Sequence, residues 1–197
     1  MTSRTFDALL DAAEVEFASA GIQTGSLRKI MRNAGVDPGA VHYHFGSREA
    51  LAAAVLGRIL VPLNVRRLEL LSDALSHGPP SPSVLVEALV RPDIEAALML
   101  HAQSPGRSRL IGAIYARPDD FVAATVATHF ALVADAFRPH LEAALPHLEF
   151  RTIGWRIRWC VFGTLGALLT DESAALQRPA DDLIGELVRT LSAALAA

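Results

Sequence analysis

Apolar positions recur at helical spacing along the whole chain, and no segment sustains the alternation of β-branched residues that marks a strand. The first predicted helix runs from about Arg4 to Ala20. Phe6, Leu9, Leu10, Ala13 and Phe17 form its buried stripe, with Asp7, Asp11 and Glu14 on the other side. Gly21 is suited to end it. Ser26 can cap a second helix with Leu27, Ile30, Met31 and Ala34 on its apolar face, and Gly35 ends that helix after about two turns. Asp37 and Pro38 read as the cap and first position of a third, very short helix that stops at Gly46. Ser47 caps a long fourth helix from Arg48 to about Ser76, with Pro62 predicting a kink.

The HGPPSPS stretch, His77–Ser83, is the clearest linker. Beyond it the pattern predicts helices at about 84–103, with a bend at Pro92, and at 106–117, 119–145, 149–170 and 180–196. The expected fold is all-α with about nine helices. Residues 1–47 are expected to form one unit and 48–197 a second, larger one.

Composition excludes several classes. Hydrophobic residues make up 51% of the 197 and charged residues 20%, which describes a folded chain rather than a disordered one. Cys160 is the only cysteine, so there is no disulfide framework and no cysteine zinc site; amid apolar neighbours it reads as an inert core residue. Acids interrupt the N-terminal helix, which argues against a secretory signal. The longest uninterrupted apolar run, around Cys160–Leu169, is about half a membrane span. The expected location is the cytoplasm, without membrane partners.

The net charge of −3 taken alone argues against a nucleic-acid binder. It is unevenly spread. Residues 24–48 carry Arg28, Lys29, Arg32 and Arg48 against Asp37, a net of +3, and the other 172 residues carry −6. In that basic segment two short helices flank a tight glycine turn, with Leu27, Ile30, Met31, Val36, Val41 and Phe45 available for packing. This is a helix-turn-helix. The helix beginning after Asp37 is small at its start (Pro38, Gly39, Ala40), so it can approach bases in a major groove about 12 Å wide.

The stretch TGSLRKIMRNAGVDPGAVHYHFGSREAL, Thr24–Leu51, resembles the DNA-binding signature of the TetR family of bacterial repressors. LDAAEVEFASAGIQTGSL before it fits the same family. The resemblance implies an all-α homodimer whose three N-terminal helices bind double-stranded operator DNA and whose C-terminal bundle binds a small ligand. By position, Arg28 matches a residue used on a base edge or phosphate. Gly39 and Ala40 match the leading face of the recognition helix, and His42, Tyr43 and His44 its operator-contacting turn. Arg48 matches a basic phosphate contact. Ser26 and Pro38 complete the DNA-binding set. Two positions depart from the pattern: His42 stands where tyrosine is commoner, and Pro38 where a polar residue is. Base readout is then expected to shift to Arg28, His42 and DNA shape.

Other chemistry finds little support. Imidazoles two residues apart on a helix diverge by about 200°, which argues against a metal pair at His42 and His44. There is no Gly-x-Ser-x-Gly, HExxH, P-loop or Rossmann fingerprint, so no catalytic residue, metal or cofactor is assigned. Asp119-Asp120 and Asp181-Asp182 fall at helix starts, where acids favour the dipole. The rivals to a regulator are a helical small-molecule binder without specific DNA binding and, behind it, a helical enzyme.

In the C-terminal half, Met99, Ile114, Tyr115, Phe121, Phe130, Phe137, Trp155, Trp159 and Phe162 either fill the core or line an apolar ligand cavity. Small residues at Gly163 and Ala167, with Leu183, Leu187 and Leu191 on the last helix, suggest a four-helix dimer interface; packing within the subunit is the alternative. The runs PHLEAALPHLEFRTIGWRIRWCVFGTLGALLTD and RILVPLNVRRLELL resemble a TetR subgroup that includes fatty-acid-responsive regulators. That resemblance implies a small hydrophobic effector, with acyl compounds among the candidates. A shift of the fourth helix on effector binding, bending at Pro62, is the expected coupling.

Overall fold

The computed structural model describes residues 2–103, 110, 111, 114, 119–169 and 178–196. Among the described residues the elements are helical: α1 Thr2–Ala20, α2 Leu27–Ala34, α3 Ala40–Phe45, α4 Arg48–Ser76, α5 Pro82–Gln103, α6 Asp120–Ala144, α7 Phe150–Leu169 and α8 Ala180–Ala196. Leu110, Ile111 and Ile114 are helical and buried where a further helix was expected between α5 and α6.

Most boundaries follow from local chemistry. Ser26 caps α2 by accepting from the Lys29 amide, and Gly35 ends it at φ 65°, where its amide bonds to Arg32 O. Only glycine takes that left-handed backbone without a penalty. Ser47 caps α4 by accepting from the Ala50 amide at 3.1 Å, and Asp119 caps α6 through the Val122 amide at 2.9 Å. The start of α3 differs from expectation. Ala40 N–H bonds Asp37 O at 3.0 Å, so Asp37–Ala40 form a turn and the helix begins at Ala40 with Gly39 before it. Pro38 lies in that turn, exposed.

The head packs on α4. Leu9, Leu10, Ala13 and Phe17 of α1, Ile30 of α2 and Val41 of α3 are buried with Leu51, Ala52, Val55 and Leu56 of α4. Phe6 stacks on Phe45 at 4.6 Å. The buried core continues through Leu60 and Leu71 of α4 into the bundle, where α5 packs along α4 and α8, and α6 along α4. α6 is long and apolar enough to cross a membrane by length and composition alone. Its Val122, Val133, Phe137 and Leu141 are buried in the bundle.

Polar contacts lock the bundle. Arg91 of α5 bonds Glu87 and Glu95 on its own helix and Asp181 of α8 at 2.7 Å. Burial opposes its charge, but the Asp181, Glu87 and Glu95 carboxylates outweigh that and raise the guanidinium pKa. At the other end of α8, the carbonyls of Ala194 and Leu195 meet Arg156 Nη1 at 2.5 Å and His147 Nε2 at 3.2 Å. Orphan carbonyls at a helix C-terminus favour such donors.

Candidate nucleic-acid interface

α1 holds the head together in a way its own periodicity hides. Glu16 is 4% exposed. Its Oε1 accepts from the Ser26 amide at 3.0 Å, and its Oε2 lies 2.8 Å from Lys29 Nζ. One carboxylate therefore meets both the entrance of α2 and a cation of its first turn. The Lys29 hydrogen bond and the Ser26 amide lower its pKa below the ordinary carboxylate value of 4.5. Glu14, expected on the outer face, is likewise buried, because Arg58 of α4 reaches both it and Asp11, the latter at 2.7 Å.

The lowered Glu16 pKa sets a pH dependence. Its stabilisation is complete above the unfolded value near 4.5 and is lost as pH falls through the lower folded value. Glu16→Gln keeps an acceptor for Ser26 but loses the charge. It should cost about 1 kcal/mol at pH 7, the scale of a helix-cap interaction. Urea denaturation of both proteins at pH 7, 5, 4 and 3 should show the gap holding from pH 7 to 5 and closing below the unfolded value of 4.5 as the wild-type carboxyl takes up its proton. A gap that stays constant or widens down to pH 3 would exclude this role.

Arg48 has a different posture from the phosphate contact expected of it. Its Nη1 donates to Gly25 O at 2.6 Å and its Nη2 to Ile22 O at 2.5 Å, and the guanidinium lies 5.7 Å from the Phe17 ring centroid. It ties the α1–α2 loop to the first turn of α4. Gly25 is required there: a methyl group at its Cα would stand 2.8 Å from Phe17 Cδ1. Ser26 too is occupied, as the α2 cap.

The remaining head residues leave one face open. Arg28, Arg32, Pro38, Gly39 and His42 are exposed, and Tyr43 is 79% exposed with only the edge of His44 beside it at 4.9 Å. Nothing lies within 4 Å of where a Gly39 side chain would begin. Ala40 and His44 are half-buried at the rim, while Val41 and Phe45 anchor the opposite side of α3. Arg28 on α2, and Pro38, Gly39, His42 and Tyr43 in α3 and the turn before it, thus all stand in solvent. That exposure admits close approach to a groove and offers hydrogen-bond donors to phosphates and base edges.

The other site expectations divide. Ile114 and Phe137 are buried in the core, and Phe121 and Phe130 are half-buried against it. Met99, Trp155 and Trp159 are 55%, 62% and 67% exposed, so they do not line an interior cavity of the protomer. The two tryptophans stack one helical turn apart, centroids 6.5 Å apart, on the outside of α7. Tyr115 lies outside the described residues, and so do the surroundings of Phe162, Gly163 and Ala167. Leu183, Leu187 and Leu191 are 8%, 8% and 0% exposed within the subunit. A cleft of about 410 Å³ does exist, between the end of α4 and the start of α5, but its walls include Asp73, His77, Glu87 and Arg91 rather than the expected aromatic residues.

A braced helix-turn-helix with an open leading face, carried on a long helix that enters an all-α bundle, is the architecture of a DNA-binding regulator. Two family models match: bacterial regulatory proteins of the tetR family over residues 9–55, and the tetracyclin repressor-like C-terminal domain over residues 87–197. The chain belongs to the TetR family and is a DNA-binding transcriptional regulator. It is similar to the A-factor receptor protein of Streptomyces griseus, 36% identical over 53 residues, which are 27% of this chain and 19% of that one. The matched segment thus spans less than a fifth of that relative's length. Among solved structures, FadR of Bacillus subtilis in complex with stearoyl-CoA superposes with a TM-score of 0.68 at 13% identity, over 93% of this chain and 97% of that one. NalD of Pseudomonas aeruginosa, the secondary repressor of the MexAB-OprM multidrug efflux pump, gives 0.64 at 21% identity, over 96% and 97%. At these identities the likeness is one of fold.

Proposed function

We propose that this regulator is a cytoplasmic homodimeric repressor that leaves its operator when a small hydrophobic effector, acyl compounds among the candidates, enters the C-terminal bundle. Residues 1–47 act as the reading head and residues 48–197 as the effector and dimer body. The observation that carries the reading is the open face of α3, with Tyr43 79% exposed and unobstructed space in front of Gly39. Arg28 and His42 flank that face as base or phosphate donors, and Pro38 sets its leading edge. Arg48 contributes from behind, by holding the loop that carries α2.

A dimer gives the reading its geometry, since two recognition helices address half-sites about 34–36 Å apart. The stacked, mostly exposed Trp155 and Trp159 on α7 support that helix as the contact between copies, because exposed tryptophan pairs are the residues that interfaces bury. The acyl class is supported by fold likeness to the FadR–stearoyl-CoA complex and by the sequence of α4 and α7.

Selection from a randomised duplex pool tests the reading. The protein should enrich an inverted repeat and bind it as a dimer, and stearoyl-CoA or another acyl-CoA of comparable chain length should release it. Failure to enrich any sequence would overturn the repressor reading. Enrichment without release by acyl-CoAs would remove the acyl class and leave DNA recognition standing.

A further inference from the structure

We infer that the buried cluster of Asn64, Arg67 and Asp93 is the positioning joint that holds α4 in one register against the effector bundle and so sets the attitude of the reading head. The inference rests on the functional reading above. Arg67 and Asp93 are each 3% exposed and form an ion pair between α4 and α5. Arg67 Nη2 bonds Asp93 Oδ2, its Nε donates to Leu89 O at 2.9 Å, and its Nη1 donates to Asn64 Oδ1 at 2.6 Å. Asn64 Nδ2 in turn donates to His129 O on α6 at 2.8 Å. The guanidinium lies 5.4 Å from the Phe130 ring centroid. Two neighbouring turns of α4 thereby grip both helices that flank it.

The sequence prepares the site. Pro92 lies in α5 immediately before Asp93 and supplies no N–H to the Ala88 carbonyl, one residue before Leu89. Arg67 takes up the Leu89 carbonyl.

A buried ion pair gains little stability over an apolar pair of the same volume. What it confers is register. A slide of α4 by one residue, about 1.5 Å, would break the bonds to Leu89, Asp93 and His129 together, whereas apolar side chains would repack. Such a joint has discrete arrangements rather than a continuum. Its place along α4 gives it leverage. Arg48 and Arg58 fasten the near half of α4 to the α1–α2 loop and to α1, and Asn64 and Arg67 fasten the far half to the bundle. Pro62, which cannot donate a helical hydrogen bond, lies between the two sets. A small change at the joint is carried as a rotation to α3.

The test measures head-to-bundle distances in the full chain. Spin labels at Asn33→Cys on α2 and Glu142→Cys on α6, in a Cys160→Ser background, are diluted with excess unlabelled protein, so that distances within one chain dominate whatever the oligomeric state. Arg67→Met/Asp93→Leu removes both charges together, and exposed Arg66→Met serves as control. The double variant should melt within a few degrees of the parent, at least double the width of the distance distribution, and bind the duplex selected by the parent at least tenfold more weakly with unchanged affinity for random duplex. Arg66→Met should change neither. A folded double variant with the parental distance distribution would overturn the joint. Should the double variant fail to fold, Arg67→Lys keeps the charge but not the planar fork. Broadening in that variant supports the joint, and a parental distribution overturns it. Failure of the parent to select any duplex counts against the repressor reading, while the distances still decide the joint.

Discussion

Phe17→Ala should cost about 3–5 kcal/mol of stability, the range for emptying a buried aromatic site. For a chain of this length that corresponds to a fall in Tm of about 6–20 °C. Phe17 is 1% exposed, and three features meet at its ring. Gly25 closes over it so tightly that a methyl group there would stand 2.8 Å away. Arg48 lies 5.7 Å from its centroid while holding the carbonyls of Ile22 and Gly25. The surrounding core of Leu9, Ala13 and Ile30 is fully buried and leaves little freedom to collapse into the space. The loss should sit at the upper part of that range, because the cavity opens beneath a charged group. Phe17→Leu, which removes less volume, should cost less than half as much. Calorimetry and urea denaturation of both variants check the ordering. A cost under 1 kcal/mol for Phe17→Ala would show that the α1–α2 loop is not seated on this ring.

Elements whose ends are written in residue type were legible from the sequence. Ser26, Gly35, Ser47 and Gly46 marked α2, α3 and α4 because a cap needs a hydroxyl or a left-handed glycine at one position. The start of α3 was not, since Asp37 and Pro38 suit a turn as well as a helix start, and the Ala40 amide chose the turn. Glu14 and Glu16 were invisible for another reason. Their partners lie 44 residues away at Arg58, and 10 and 13 residues away at Ser26 and Lys29, so no periodicity of α1 reveals them. The adjacent pair Arg66 and Arg67 reads as a charged surface, yet one is 52% exposed and the other 3%. One residue of helical phase separates solvent from the buried joint. The apolar stripe of α8 could serve a neighbouring helix of the same chain or of a second copy, and within the chain α5 packs along that helix.

These contacts also change the charge argument. The +3 of residues 24–48 suggested four basic groups facing DNA. Lys29 is paired with Glu16, and Arg48 is turned onto two carbonyls. The exposed arginines that remain in residues 24–48 are Arg28 and Arg32. With so little free charge, binding should lean on hydrogen bonds and fit more than on phosphate neutralisation, which gives weak affinity for random duplex and a shallow dependence on salt.

Tyr43 is where that difference becomes measurable. Its ring is 79% exposed and touches the edge of His44, so Tyr43→Ala should change stability by no more than about 0.5 kcal/mol. Its hydroxyl stands free on the recognition helix, and a hydrogen bond to a charged group such as phosphate is worth about 1.5–3 kcal/mol. Two heads act in a dimer, so the loss should reach about 3–6 kcal/mol, roughly a hundredfold to ten-thousandfold in affinity. Tyr43→Phe separates the hydroxyl from the ring, and most of the loss should already appear there. Because tyrosine carries no charge, neither substitution should alter the slope of log affinity against log salt. Arg28→Ala, by contrast, should flatten that slope by about one contact per subunit if it meets phosphate, or relax sequence preference if it meets a base. Titrations of the selected duplex at several salt concentrations distinguish the two residues. A Tyr43→Ala protein that binds as tightly as the parent would mean that this turn of α3 does not face the DNA.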